Sequence, residues 1–168
     1  MTIRINRYIF VILAPFLILL SSCNSNVVFS DTHAMAENTW KLMDISSFKA
    51  EVDDTLTSNN IYFTLRSSSS YPFHNIWLFV TTIAPGGKSV TDTLQFNLAD
   101  EKGRSYGRGF GDIHELDLPY KSNVYFPAKG IYQFRVQHGM RIEDLKGVYD
   151  FGLRIEKIPI IKPGNGKK

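Results

Sequence analysis

The chain has 168 residues, with 19 basic and 16 acidic side chains and a formal net charge of +3 at pH 7. A chain of this length fits one domain. A charge so close to neutrality gives no electrostatic reason to bind nucleic acid. The single cysteine excludes a disulfide within the chain and a metal site built from several cysteines, so the packed core must supply the stability.

The first 22 residues have the layout of a bacterial export signal. Arg4 and Arg7 precede an apolar run over residues 8–20 (YIFVILAPFLILL). Thirteen residues are too few to cross a bilayer core, which needs about 20 helical residues, and Pro15 interrupts the run. We therefore expect residues 1–22 to be a cleaved signal peptide.

Residues 19–23 (LLSSC) have the form of a lipobox, in which an apolar residue and two small residues precede a cysteine. Cys23 then becomes the first residue of the mature protein and carries lipid. An ordinary signal peptide cut elsewhere, with Cys23 a free thiol, is the alternative. One acyl chain gives only marginal membrane binding, whereas bacterial lipoproteins carry three. The mature chain has 146 residues, with 17 basic and 16 acidic side chains, a net charge of +1.

Beyond the anchor, composition suggests three segments. We expect residues 23–30 to hold the lipidated cysteine and a short tether, residues 31–158 to form the domain, and residues 159–168 to form a flexible tail rich in Pro, Gly and Lys. Residues 27–29 are a weak candidate for a first edge strand, and residues 40–45 form a second apolar patch.

Period-two alternation of apolar and polar residues predicts half-buried strands. These strands cover residues 61–65, 94–98, 132–136 and 149–155. Residues 76–83 (IWLFVTTI) are apolar on both faces, which predicts a strand with little solvent on either side. Residues 99–112 hold four glycines and predict a long loop or an irregular hairpin.

Proline and glycine limit the remaining elements. Pro119 and Pro127 bracket a short strand at best, because proline cannot donate to a ladder. Residues 140–146 predict one helical turn, closed by Gly147, since a residue without Cβ suits a left-handed helix end. Several short strands without long helices predict an all-β fold, an antiparallel β-sandwich of jelly-roll type. A small closed barrel is the main competitor.

Candidate metal and catalytic residues are sparse. The four histidines lie 24 to 41 residues apart, without the close spacing of a metal site, and we expect surface or capped positions for His33, His74, His114 and His138. Asp112, His114 and Glu115 are near enough in sequence to bind a hard cation or act as acid and base, but an exposed polar loop explains them as well. No nucleophile elbow (G-x-S-x-G) occurs. We therefore expect no enzyme, no metal and no cofactor.

The glycine-rich loop carries a candidate interaction site, formed by Arg104, Tyr106, Arg108 and Phe110. Arginine and aromatic residues supply most binding hot spots. The loop lacks the Gly-Lys-Ser/Thr ending of a phosphate loop. Aromatic residues make up 13% of the chain, so a carbohydrate-binding face is the alternative, with Trp77, Tyr106 or Phe110 stacked on sugar. In a β-sandwich most aromatic rings are expected in the core.

With these motifs described, the chain resembles the GldH family of gliding-motility lipoproteins of the Bacteroidota. The resemblance runs from Cys23 to about Lys157 and rests on several blocks in a fixed order. The main blocks are YPFHNIWLFV at residues 71–80, DTL at 92–94, LAD at 98–100, GFGDI at 109–113, GIYQF at 130–134, MR at 140–141 and GLRIEK at 152–157.

The resemblance implies a lipid-anchored envelope protein associated with gliding motility, whose machinery overlaps with a protein secretion system. It implies binding of other envelope proteins rather than catalysis, and a hydrolase is the least favoured reading. Only Cys23 matches a defined functional residue of the family, the lipidated cysteine. Asn24, rather than aspartate, after the anchor favours the outer membrane, and the lack of an acidic cluster there favours its periplasmic face.

Overall fold

The structure, a computed structural model, describes residues 26–159. The expected signal peptide, the lipidation of Cys23 and residues 160–168 of the expected tail lie outside the described residues. The strands, in chain order, are β1 (Val27–Ala34), β2 (Thr39–Lys41), β3 (Ser46–Val52), β4 (Asn59–Ser68), β5 (Asn75–Ile83), β6 (Ser89–Asn97), β7 (Arg108–Phe110), β8 (Ile113–Val124), β9 (Gly130–His138), β10 (Asp144–Lys146) and β11 (Val148–Lys157). A 3-10 turn, Ala36–Asn38, joins β1 to β2. Over the described range, no helix is long and apolar enough to cross a membrane.

Two sheets form the layers of a sandwich. One has five strands in the order β1-β11-β4-β8-β7, and the other has four in the order β3-β9-β5-β6. β2 and β10 form a separate two-stranded unit. All neighbouring strands are antiparallel, and the chain crosses directly between the two larger sheets after β3, after β4, after β6 and after β8. The predicted antiparallel β-sandwich is confirmed, and within the described residues the two sheets do not join into the closed barrel.

Aromatic rings fill the space between the sheets. Alternation places Phe63 and Leu65 of β4 fully inside, as the sequence predicts. The Phe151 ring of β11 lies 4.8 Å from Trp40, 5.2 Å from Phe63 and 6.4 Å from Phe48, measured between ring centroids. Phe48 belongs to the opposite sheet, so Phe151 links both layers. Pairs at these distances add to the free energy gained from burial alone.

β5 is covered on one face only, so the prediction of little solvent on either side is wrong. Ile76, Leu78 and Val80 are fully buried, whereas Trp77 and Phe79 are 39% and 42% exposed. A two-layer sandwich has no third layer over the outer face of either sheet. Apolar residues on that face of β5 therefore mark a surface rather than a second core.

β8 is longer than the short strand that its proline predicts. It continues from Ile113 to Val124 through Pro119. Pro119 is exposed and lies opposite Tyr62, beside a register shift between Ile61 and Tyr62. β7 pairs only with the first three residues of β8, so this part of β8 is a free edge on one side. A bulge on an edge strand is a position where a ladder tolerates proline.

Residues 140–146 do not form the predicted helical turn. Asp144–Lys146 is strand β10, and its Leu145 is fully buried opposite Trp40 of β2. Burial of Leu145 against Trp40 outweighs the local helical pattern. Gly147 does have the expected left-handed backbone, with a φ of 80°, but it ends a strand.

His138 departs from the expected surface or capped positions. It is fully buried on β9, and its ring meets Trp40 edge to face at 5.7 Å. Neither ring nitrogen has a hydrogen-bond partner among the described residues. Burial lowers the pKa of His138 below its usual 6.5, so the ring is neutral at pH 7 and packs as an aromatic core group.

Within residues 26–159, β6 is a free edge of the four-stranded sheet. Asp92 lies opposite the fully buried Val80 and so points to the core side of its strand. Its carboxylate accepts a hydrogen bond from the Tyr120 hydroxyl at 2.8 Å and pairs with Lys121 Nζ at 2.9 Å. The Lys121 contact is the largest cause that lowers the pKa of Asp92. A charge is thus held on the inner face of an edge strand.

The first strand begins earlier than the expected domain boundary. β1 starts at Val27, so residues 27–30 of the expected tether belong to the sheet, and the predicted edge strand is confirmed in extended form. The backbone N–H of Lys157 donates to the carbonyl of Asn26 at 2.8 Å. Asn26 is therefore already fixed to β11.

The sandwich has two ends, named here by their position relative to Asn26. The N-terminal end holds Asn26, the end of β11 and the loops 53–58, 84–88 and 125–129. The Asp54–Lys157 ion pair joins the first loop to β11, and Pro85 lies so close to Gly130 that a Cβ added there would be 3.1 Å from it. The distal end holds the loops 42–45, 69–74, 98–112 and 139–143. The ten residues of β4, at about 3.3 Å each, separate the two ends by about 30 Å.

We predict that the two tryptophans contribute unequally to stability. Trp40→Ala removes a fully buried ring and the indole donor to the Asp44 carbonyl, so the free energy of unfolding should fall by about 3–5 kcal/mol. Trp77→Ala, at a half-exposed position, should lose about 1 kcal/mol. Urea unfolding followed by circular dichroism measures both. Equal losses would contradict the assignment of Trp40 to the core.

Candidate interaction surface

Asp100 organises the first half of the glycine-rich loop. Its Oδ1 accepts the backbone N–H groups of Lys102 at 2.9 Å and Arg104 at 2.8 Å, and its Oδ2 accepts Arg104 Nε at 2.9 Å. These bonds lower the pKa of Asp100, the Arg104 backbone N–H being the largest cause. Gly103 supplies the positive φ of 79° that closes the turn. The Arg104 side chain is therefore held in place while 82% of it stays exposed.

The second half of the loop forms a short hairpin, which is one of the two structures that the sequence predicts, a long loop being the other. β7 pairs with the start of β8, and the turn passes through Gly111, with a φ of 66°. Phe110, at the tip, is 97% exposed. A Cβ at Gly109 would lie 1.9 Å from the carbonyl oxygen of Ile113. Only glycine permits this approach, so Gly109 is needed for the hairpin conformation that exposes Phe110.

Asp112 and His114 fasten this hairpin to the loop that follows β4. Asp112 accepts the Ser69 backbone N–H at 3.0 Å and the Tyr149 hydroxyl at 2.8 Å, and His114 Nε2 lies 3.1 Å from Ser69 Oγ. The Tyr149 hydroxyl is the largest cause that lowers the pKa of Asp112. Glu115, the next residue along β8, points to the opposite face. Across the described residues, no group of three His, Cys, Asp or Glu is placed to hold a metal ion.

The four residues of the candidate interaction loop do not share one face. Tyr106 and Arg108 line a cavity of about 290 Å³ beside Phe96. Arg104 lines a second cavity of about 710 Å³, on the side of the loop that faces residues 67–74. Phe110 lines neither. The structure thus brings Tyr106 and Arg108 together and leaves Phe110 alone at the hairpin tip.

A third distal cavity, which the sequence does not predict, lies at the start of β5. It measures about 570 Å³ and is lined by Phe73, Asn75, Trp77, Gly139, Met140, Arg141 and Ile142. The Gly139 N–H donates to the Trp77 carbonyl at 2.7 Å, and the Trp77 N–H donates to Met140 Sδ at 3.3 Å. These two bonds join β5 to the loop after β9. We call this cavity the Trp77 groove.

Phe79 extends the apolar surface beside the Trp77 groove. A Cβ at Gly139 would lie 2.9 Å from Phe79 Cε2, so the Phe79 ring covers this glycine. The signal for the groove was present in the sequence, because Trp77 and Phe79 are two apart and share one face of a strand. Trp77, Tyr106 and Phe110 were the candidate sugar-stacking residues. They occupy the groove, another cavity and the hairpin tip, and do not form a single platform.

The family model described as GldH lipoprotein matches residues 27–155. The gliding motility lipoprotein GldH of Flavobacterium johnsoniae is 35% identical over 147 residues, which cover 83% of this chain and 91% of that protein. A GldH homolog of Christiangramia forsetii is 32% identical over 148 residues, which cover 84% of this chain and 90% of that protein. Fold and family together define an envelope lipoprotein with a β-sandwich domain. The chain belongs to the GldH lipoprotein family.

Among solved structures, two from infectious bursal disease virus overlap with the sandwich. The Gx strain structure has a TM-score of 0.37 with 14% identity and covers 82% of this chain and 33% of that chain. The T13 viral particle structure has a TM-score of 0.35 with 14% identity, and the match covers 80% of this chain and 32% of that chain. Likeness at this level carries no argument about fold or function.

We predict that Gly109 is required for the hairpin that carries Phe110. Gly109→Ala should lower the free energy of unfolding by about 1–3 kcal/mol, because the new Cβ meets backbone, and should speed amide exchange over residues 108–115. Gly86→Ala is the matched control, since nothing lies within 4 Å of a Cβ there, and should change stability by less than about 0.5 kcal/mol. Urea unfolding and hydrogen exchange measure both. Equal behaviour of the two variants would refute this geometry.

Proposed function

We propose that this protein is a lipoprotein of the gliding-motility machinery and its associated secretion system, anchored through lipid on Cys23, which binds other envelope proteins and catalyses no reaction. Family membership supports the motility assignment, since the relative in Flavobacterium johnsoniae carries that name. Asn24 supports placement in the outer membrane, and the lack of an acidic cluster after Cys23 supports its periplasmic face. Binding is assigned to the distal end.

The observation that carries this proposal is the display of aromatic and arginine side chains at the distal end. Phe110 is 97% and Tyr106 63% exposed, and Arg104 is held by Asp100. Such residues dominate binding energy at interfaces. Because hydrogen bonds to Asp100 and Asp112 fix the loop, little conformational freedom remains to be lost on binding.

The hydrogen bonds of two acidic residues of the loop, Asp100 and Asp112, support binding rather than catalysis. Asp100 accepts hydrogen bonds within its own turn, and Asp112 accepts them from Ser69 and Tyr149. Glu115 lies opposite Arg108 in the backbone register of β7 and β8. The carboxylates of Asp100 and Asp112 thus have structural tasks in the loop. A general base would instead need an accessible carboxylate directed at a substrate pocket.

The test compares partner recovery across variants of the full lipoprotein in its own cells. After a mild crosslink, a C-terminal tag is pulled down from detergent, and partners are identified by mass spectrometry. Cys23→Ala should leave the membrane fraction and lose its envelope partners. Phe110→Ser should lower recovery about tenfold, the effect of losing one hot-spot side chain.

Val90→Ser is the matched control, because Val90 is 63% exposed on β6, away from the loop. It should recover partners at the wild-type level. Unchanged recovery with Phe110→Ser and with Tyr106→Ala would exclude the loop as the binding site. Partners without any gliding or secretion component would count against the machinery assignment.

A carbohydrate-binding module is the second candidate, and the Trp77 groove favours it. Aromatic rings at Trp77 and Phe79 offer stacking faces, and Asn75 and Arg141 add amide and guanidinium donors. The test is a glycan array with the detergent-solubilised lipoprotein. Trp77→Ala should abolish a true signal, whereas Val90→Ala should keep it. No binding above background would remove this candidate.

A further inference from the structure

The chain between the lipid and the sandwich is very short. Cys23, Asn24 and Ser25 precede Asn26, whose carbonyl is bonded to the Lys157 N–H at 2.8 Å. A fully extended chain spans about 3.6 Å per residue, so the Cα of Asn26 lies within about 11 Å of the Cα of Cys23. If Cys23 carries lipid, as proposed above, the N-terminal end of the sandwich must stay at the membrane surface.

The loops of this end carry two large exposed apolar side chains. Leu56 is 87% exposed in the loop 53–58, and Tyr125 is 60% exposed in the loop 125–129. The two loops are neighbours, because Asn59 of β4 lies opposite Val124 of β8. Tyrosine is enriched at the membrane–water interface, where its ring is apolar and its hydroxyl is hydrated.

The loop that carries Leu56 is a fixed turn. Asp54 Oδ1 accepts the N–H groups of Leu56 at 2.9 Å and Thr57 at 3.1 Å, and Oδ2 accepts the Thr57 hydroxyl at 2.7 Å. Lys157 Nζ pairs with the same carboxylate at 3.0 Å. These contacts, the Thr57 hydroxyl first, lower the pKa of Asp54. The negative charge of Asp54 is therefore compensated within the turn, and Leu56 remains at the tip of the turn.

Among the described residues of this end the exposed charges balance, so apolar contact supplies what these residues add to membrane binding. Lys88 and Lys129 are exposed, and so are Glu51 and Asp53. Anionic lipids attract lysine side chains, but the two acids offset that attraction. Insertion of Leu56 and Tyr125 is the source of affinity for lipid that remains among the described residues of this end.

We propose that the N-terminal end is a second membrane contact, in which Leu56 and Tyr125 enter the headgroup region of the leaflet that holds lipidated Cys23. Three points then fix the domain on the surface: the lipid, Leu56 and Tyr125. A domain fixed in this way cannot rotate freely about its tether. The hairpin with Phe110 and the Trp77 groove point away from the membrane, about 30 Å from it.

The test uses a single fluorescent probe on the full lipoprotein. The Cys23 sulfur is blocked by its thioether in the lipoprotein, so an introduced cysteine is the free thiol for labelling. Leu56→Cys and Tyr125→Cys are labelled with the nitrobenzoxadiazole fluorophore and reconstituted in phosphatidylethanolamine–phosphatidylglycerol vesicles. Met43→Cys is the matched control, since Met43 is 85% exposed at the distal end.

Probes at positions 56 and 125 should brighten about threefold or more in vesicles and be quenched by spin-labelled lipid, because the fluorophore leaves water. The probe at position 43 should respond to neither. Vesicle flotation distinguishes failure of the lipid anchor on Cys23 from failure of the second membrane contact. Protein that floats while the probe at position 56 behaves like that at position 43 overturns the second contact alone. Protein that does not float overturns the lipid anchor, and with it the contact that depends on the anchor.

Discussion

Phe151 lies in the centre of the interface between the two sheets, where its ring contacts Trp40, Phe48 and Phe63. These partners come from the β2–β10 unit and from both sheets, so one side chain joins all three parts of the fold. The chain has no disulfide to share this task, and burial of large rings is the strongest stabilising contribution that remains. The loops at both ends depend on this core, because they connect strands whose relative position it sets.

The sequence predicts those strands well where one face is apolar. Residues 61–65 and 132–136 lie in β4 and β9 with the expected inward faces, and so do Phe151, Leu153 and Ile155 of β11. At the start of β11 the prediction is wrong, because a register shift between Val148 and Asp150 buries Asp150 and leaves Tyr149 half-buried. Prediction fails where the local residue pattern favours one structure and a contact with a residue distant in sequence favours another. Pro119 lies in a long strand, because a bulge and a free edge accommodate it, and residues 144–146 pair with β2 because Leu145 meets Trp40.

The candidate site divides in the same way. Arg104, Tyr106, Arg108 and Phe110 are legible as exposed loop residues because glycines surround them. The sequence does not reveal that these residues separate into two cavities and a hairpin tip. That arrangement depends on Asp100 and on the packing of the loop against residues 67–74. The Trp77 groove escapes the sequence for a related reason. Alternation gives the two faces of a strand, but the number of layers decides whether the second face meets protein or solvent.

The charge that β6 holds on its inner face has a consequence for copies that share a membrane. Lipid anchoring confines proteins to two dimensions, where neighbours meet far more often than in solution, and an open strand edge can pair with another chain. A second strand added to β6 would have to pack over Asp92 and its partners Tyr120 and Lys121. An ion pair placed there makes that surface unsuitable for a continuous apolar core, which disfavours pairing of two copies through their β6 edges.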